Sequence, residues 1–368
     1  MSLIYLQPIQ ENEALQEFPY EKIGGRIAKH TKKNGLPTIQ GVQIALLAVI
    51  DEQSLAPHTF RKHFYNLFVG NWNVSLADFG NLPAGNTDED TFFIIKEIVY
   101  EFLYQGITPI IVAPKQEITY GIYRAFDRLE QLVNLVCVDA SFDFGNEHQF
   151  VSANSYMSRI LMEEPTNLNH FTNIGYQTYY NAQETLDVLD KMYFESYRLG
   201  QVTHYIEMIE PILRNTDIVS VDMRSVQAAD LDCSDAFPNG FSNREICTIA
   251  RYAGLSMQTS VFGLFEIPNT QRALQLVAQI LWYFIEGYNY RTQEFPTPSD
   301  PNFTKYNVLI DDLIIEFYKS NFTGRWWILP NEYTNGSAML PCTEKDYEQA
   351  CSGVIPKRWW NLYKKSLL

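Results

Sequence analysis

From residue 42 onward the chain alternates short apolar runs with longer amphipathic stretches. "VQIALLAVI" (42–50), "ITPIIVA" (107–113), "VNLVCVDA" (133–140), "HFTNIGYQ" (170–177), "TDIVSVDM" (216–223) and "TSVFGLFEI" (259–267) are rich in valine and isoleucine and too short to stand as helices. Each therefore predicts a buried strand. Between them, "TDEDTFFIIKEIVYEFLYQG" (87–106) opens on acids that favour a helix N-terminus and closes on Gly106, and "NAQETLDVLDKMYFESYRLG" (181–200) closes in the same way on Gly200. "QRALQLVAQILWYFIEGY" (271–288) predicts a further, more apolar helix. Strand and helix in alternation imply an α/β class, a doubly wound and mainly parallel sheet covered on both faces. Ligands of such sheets bind beyond the carboxyl ends of the strands.

The flanks read differently. Residues 1–40 are polar and close on "GLPT", an extension preceding the α/β domain of residues 41–290. A proline-rich connector, "TQEFPTPSDPNFT" (292–304), leads into the rest of an aromatic extension, residues 291–368. Its "RWWILP" and "KRWWNLY" hold four of the six tryptophans. Two readings stay open for them: anchors of an oligomer or protein interface, or a satellite core covering the domain. Side-chain exposure decides between the two.

Composition narrows the function classes. At 46% hydrophobic and 19% charged residues the chain has ample apolar surface for a large core. A net charge of −15 repels a phosphate backbone, so nucleic acid is not an expected partner. The odd number of cysteines, without a CxxC pair, fits a reducing compartment better than a disulfide framework. "MSLIYLQPIQENEALQ" lacks a positive segment followed by a long apolar one, and nowhere do eighteen apolar residues run uninterrupted. The expectation is a cytoplasmic protein without a membrane partner.

Four strand ends carry acids or amides: "VAPKQEITYG", "VDASFD", "SVDMRS" and "FEIPN". In that order these motifs resemble the ureohydrolase superfamily of arginases, agmatinases and formimidoylglutamases, over roughly residues 42–288. The resemblance implies an arginase-like three-layer α/β/α fold with two manganese ions at the carboxyl edge of the sheet. It implies ligand positions at Asp139 and Asp143 from the family's D-A-H-x-D motif and at Asp222 from its S-x-D-x-D motif. "PNGFSNRE" (238–245) resembles the family's P-x-G-G-L-S-x-R-E segment, and Glu266 stands where the family has a substrate-pocket glutamate.

The match departs from the family at the remaining ligands. Ser141 replaces the histidine of D-A-H-x-D, Gln116 replaces the histidine of the G-G-D-H-S loop, with Lys115 in place of its aspartate, and Arg224 replaces the second aspartate of S-x-D-x-D. Metal-bound water loses its proton near neutral pH and becomes the nucleophile, which is why the family needs the ions. Serine and glutamine oxygens are weak substitutes for imidazole. A guanidinium a few ångström from a dication is repelled by several kcal/mol, roughly, even at an effective dielectric of about 20. Arg224 pointing inward would instead form forked bonds to the surviving acids as counter-charge.

The leading expectation is thus a family member with a degraded binuclear site and no metal cofactor, non-catalytic or binding a small amidine or guanidine. One alternative is a formimidoylglutamase-like hydrolase of linear amidines, holding a single Mn²⁺ on Asp139, Asp143 and Asp222. Glu266 and His148 are its candidate pocket residues, and it requires Arg224 to point away. A third is an interaction module acting through the aromatic tail. Taken singly, Asp139 and Asp222 would be read as helix caps, His170 as a hydrogen-bonded structural residue, and Cys137 as a small core residue.

Overall fold

The computed structural model describes residues 2–9, 17–51, 56–145, 155–330 and 339–365, with only the backbone of 56–58. Nine strands form one parallel sheet: β1 (Ala28–Lys29), β2 (Ile44–Ile50), β3 (Leu76–Pro83), β4 (Thr108–Val112), β5 (Val133–Val138), β6 (Leu168–Tyr176), β7 (Glu195–Arg198), β8 (Ile218–Asp222) and β9 (Val261–Phe265). Their order is β1-β3-β2-β4-β9-β8-β5-β6-β7. The chain therefore crosses from β4 over two later strands to β5. The four strands whose ends carry the motifs, β4, β9, β8 and β5, lie side by side at this crossing.

Both faces are covered, as the continuous apolar runs require. Ile44, Leu46, Ala48, Ile110, Val112, Val219, Val221, Phe262 and Leu264 bury one face with α1 (Ala56–Tyr65), α6 (Asn243–Leu255) and α7 (Gln271–Asn289). The alternate residues Ala45, Leu47, Val49, Ile111, Leu135, Cys137, Ile218 and Val261 bury the other with α2 (Asp88–Tyr104), α3 (Ile118–Arg124) and α4 (Tyr156–Met162). This is the three-layer α/β/α fold. Helix ends are set locally: Thr87 and Asp90 form a capping box on α2, and Gly106 follows it at φ 70°. A Cβ at Gly121 in α3 would sit 2.3 Å from Ile95 Cγ2, so only glycine lets α3 approach α2.

Two expectations need correcting. The helix predicted over 181–200 is α5 (Gln183–Lys191), which stops before Tyr193 at φ 54°, and "ESYR" then forms the edge strand β7. The ladder with β6 and burial of Glu195 override the local helical pattern there. The polar N-terminal segment supplies β1 to the sheet and Ile9, Ile23 and Ile27 to its core.

After α7 come four antiparallel strands, β10 (Phe303–Ile310), β11 (Leu313–Ser320), β12 (Trp326–Ile328) and β13 (Leu340–Cys342), followed by α8 (Glu344–Cys351) and α9 (Lys357–Lys365). They share a small core that includes Trp326 and Trp359, while Trp327 is also buried. Three of the tail's four tryptophans are thus spent on internal packing, and Trp360 is 37% exposed. Arg358 ties this module to the sheet through Glu195, with Nε at 3.0 and 3.2 Å from its oxygens. Among the described residues no helix is long and apolar enough to cross a membrane.

Candidate functional site

Ladder register brings the strand-end acids together. Val138 pairs with Val221, so Asp139 and Asp222 leave adjacent strands side by side, and Asp222 pairs with Phe265, one residue before Glu266. Asp139, Asp143 and Asp222 are 2%, 6% and 0% exposed. Asp143 and Glu266 hold left-handed backbones at φ 54° and 55°. For side chains with a Cβ this costs about 1 kcal/mol each and turns the two acids at the ends of β5 and β9.

Arg224, Ser141 and Gln116, the residues expected at substituted ligand positions, all bond to these acids. Arg224 folds back on Asp222, its Nε 2.8 Å from Oδ2 and 3.2 Å from Oδ1, its Nη2 2.6 Å from Oδ2. The backbone N–H of Arg224 donates to Oδ1 at 2.6 Å, so Asp222 also caps the short turn after β8. Ser141 Oγ donates to Asp143 Oδ1 at 2.7 Å and its N–H donates to Asp139 Oδ1 at 2.9 Å. Gln116 is fully buried. With its amide nitrogen turned to the acids it donates to Asp139 Oδ2 at 2.9 Å and Asp222 Oδ2 at 3.1 Å, while its oxygen accepts from Tyr156 at 3.2 Å.

Electrostatics show what remains unbalanced. Burial raises Asp143 to about 7, against the hydrogen bonds from Asp139 and Ser141, and raises Asp222 to about 8 with the help of the neighbouring Asp139. Asp139 moves well above the ordinary carboxyl range, from burial first and then from Asp143, to which it hydrogen-bonds. Burial works against the charge of Arg224, yet Asp222, with Glu266 and Asp139 behind it, raises its pKa. One guanidinium thus faces more acid than it can neutralise. Among the described residues no group of three or more His, Cys, Asp or Glu side chains is arranged to hold a metal ion.

Other expected residues fall elsewhere. Lys115 turns from the three aspartates, its Nζ 3.2 Å from both Asp88 and Glu117. Glu266 Oε1 accepts the N–H of Gln116 at 3.1 Å, and its Oε2 lies 4.0 Å from Arg224 Nε. His148 lies outside the described residues. The Ser242 and Glu245 of "PNGFSNRE" form the capping box of α6, a structural account of that motif.

Sequence reading missed the walls. A cleft of about 430 Å³ opens over Asp139, Ser141, Asp143 and Arg224. It is lined by Phe142, Phe144, Tyr180, Asn181 and Phe237, and Tyr180 stacks on Phe237 with centroids 4.4 Å apart. Tyr156, beneath the acids, lies 3.2 Å from Cys137 Sγ. The only sequence signal for Tyr180 and Asn181 was their place in "GYQTYYNAQ", just beyond a carboxyl strand end.

A family model described as the arginase family matches residues 46–272, more than half of the chain. The chain belongs to the arginase family. Solved structures similar to this family member include a Trypanosoma cruzi formiminoglutamase with Mn²⁺, at 16% identity and TM-score 0.64, covering 75% of this chain and 100% of that one. A formimidoylglutamase from Bacillus subtilis is 18% identical at TM-score 0.64, covering 75% and 95% of the two chains. The agmatine ureohydrolase of Thermoplasma volcanium is 18% identical at TM-score 0.59, covering 76% and 98%. No curated protein matches the sequence. At these identities the structural neighbours establish the fold alone.

Proposed function

We propose that this arginase-family protein has lost the binuclear manganese centre and binds a small ligand without hydrolysing it. The observation that carries this is Arg224: two of its guanidinium nitrogens lie on Asp222, and motif resemblance gives its position to the second aspartate of S-x-D-x-D. The donor set that remains is three aspartates, a serine, an amide and a cation, which does not fit two dications. Gln116 and Ser141 contribute neutral hydrogen bonds where the family has imidazoles. No metal-activated water enters this reading, so hydrolysis is not assigned.

The test is metal analysis of protein purified without chelator and then incubated with Mn²⁺, beside Arg224→Asp. The expected result is no stoichiometric metal in the native chain and partial recovery in the variant. Two ions per native chain at micromolar affinity would refute the proposal. A second reading takes Asp139, Asp143 and Asp222, all buried at the strand ends but not arranged around an ion, as oxygens that one divalent ion with its waters would have to draw together. Under it the protein is a formimidoylglutamase-like hydrolase, and one bound Mn²⁺ with turnover of formimidoylglutamate would favour it.

A further inference from the structure

The floor of the 430 Å³ cleft presents two hydrogen-bonding groups of opposite kind. Arg224 spends Nε and Nη2 on Asp222, and its Nη1 has no partner among the described residues. Its side chain is 32% exposed and lines the cleft, so Nη1 is a donor open to a ligand. Asp143 also lines the cleft. A carboxyl accepts up to about four hydrogen bonds, and Asp143 is engaged by the Ser141 hydroxyl and by Asp139. Acceptor capacity remains on Asp143 in the same cleft as the donor.

Asn181 adds little of its own, because its amide donates to Ala140 and Gln177 and its oxygen accepts from Phe142 N–H. The walls are Phe142, Phe144 and the stacked Tyr180–Phe237 pair, which suit a flat group. A ligand cation would be drawn by the surplus acid but would leave Arg224 Nη1 without an acceptor, and a ligand carboxylate would bond Arg224 only against Asp143. A zwitterion would satisfy both but would bring two charges out of water into an aromatic cleft. A neutral carbonyl carrying an adjacent N–H satisfies donor and acceptor at once and loses no ionic hydration.

We infer that the cleft is selective for a neutral ureido or carboxamide ligand, its carbonyl oxygen accepting from Arg224 Nη1 and its N–H donating to Asp143. The inference rests on the metal-free reading above, and it sets hydrogen-bond complementarity above the attraction that surplus acid offers a cation. Specificity here arises as much from what Arg224 repels as from what it binds.

Calorimetric titration with N-butylurea, butylguanidinium, pentanoate and norvaline, each in EDTA and then in Mn²⁺, tests it. N-butylurea should bind at least about tenfold tighter than the other three in EDTA, and Arg224→Gln should weaken it by about tenfold, the usual weight of a charge-assisted bond. Asp143→Ala, which leaves the Arg224–Asp222 pair intact, should weaken it comparably. Tighter binding of butylguanidinium, pentanoate or norvaline in EDTA, or no binding of N-butylurea at millimolar concentration, would overturn the inference while leaving the metal-free reading standing. Butylguanidinium binding that appears only with stoichiometric Mn²⁺ would overturn both.

Discussion

Two arginine–aspartate pairs, each with a buried aspartate on a strand of this sheet, look alike and behave differently. Arg61 and Asp78 are both 0% exposed, and every oxygen and nitrogen at their junction is matched. Arg61 donates to Asp78 at 2.7 and 3.0 Å, to Asn81 at 2.8 Å and to the Gly80 carbonyl at 2.8 Å. Asp78 accepts further from Tyr65 and from the Gly80 N–H. Arg224 and Asp222 have equally short bonds, but two more aspartates and Glu266 crowd the same arginine, which faces a cleft. The first pair is closed and charge-matched, a structural element; the second is open and surplus in acid, a site. Geometry within the pair does not tell them apart, whereas its surroundings do.

The largest effect expected from this contrast is on stability. Arg61→Met leaves Asp78 buried without its counter-charge and should cost about 3–5 kcal/mol. Arg224→Met should cost about 1–2 kcal/mol, because Gln116 and the backbone N–H of residue 224 still donate to Asp222. Urea denaturation of both variants at pH 7 measures the difference. Equal losses would break the comparison.

Next in size is the pH dependence of the site. Burial lifts Asp143 to about 7 and Asp222 to about 8, so the folded protein holds protons that the unfolded chain releases near pH 4. Their contribution is complete below that pH and is lost as pH rises through 7 to 8, so stability should fall between about pH 5 and 8. Asp143→Asn, which removes one surplus acid, should stabilise the protein at pH 8 by on the order of 1–3 kcal/mol. Glu195 sets the opposite limb: burial opposes its charge, but Arg358 and His170 outweigh it and lower its pKa. That stability is present above the ordinary carboxyl range and is lost as pH falls below it. Denaturation midpoints across this range should therefore pass through a maximum on the acid side of neutrality. A flat profile from pH 5 to 8, with Asp143→Asn neutral or destabilising, would remove the claim of surplus acid.

The same contrast explains what could be read from sequence. The strands that end at the site are apolar runs, and their period and composition were enough to place them. β3 was not legible, because "LADFGNLP" buries Asp78 and Asn81, whose partner Arg61 lies in a helix upstream. Polar burial balanced by a distant residue leaves no local pattern. β7 hid inside a helical stretch because an edge strand of four residues depends on its neighbour β6. At the site, the positions of Asp139, Asp143, Asp222, Gln116, Ser141, Arg224 and Glu266 came from motif resemblance. Tyr156, Asn181, Tyr180 and Phe237 did not, since their contacts to those residues are set by packing between elements. The direction in which Arg224 turns was likewise invisible, because it depends on the turn that Asp222 caps.

The smallest effect sharpens the comparison at a single atom. Ser141 Oγ donates to Asp143 at 2.7 Å and lies 3.3 Å from Asp139, at the position that motif resemblance gives to a histidine. If the aspartates are balanced by hydrogen bonds rather than by metal, this hydroxyl is part of what holds Asp143 down against burial. Ser141→Ala should then cost about 1 kcal/mol at pH 8 and nearly nothing at pH 5, where Asp143 is protonated in either protein. The Asp143 carboxyl carbon, followed by NMR in chelator, should titrate at higher pH in the variant. An unchanged titration would mean that the hydroxyl satisfies geometry alone, and the balance of charge would have to be assigned to Arg224 and Gln116.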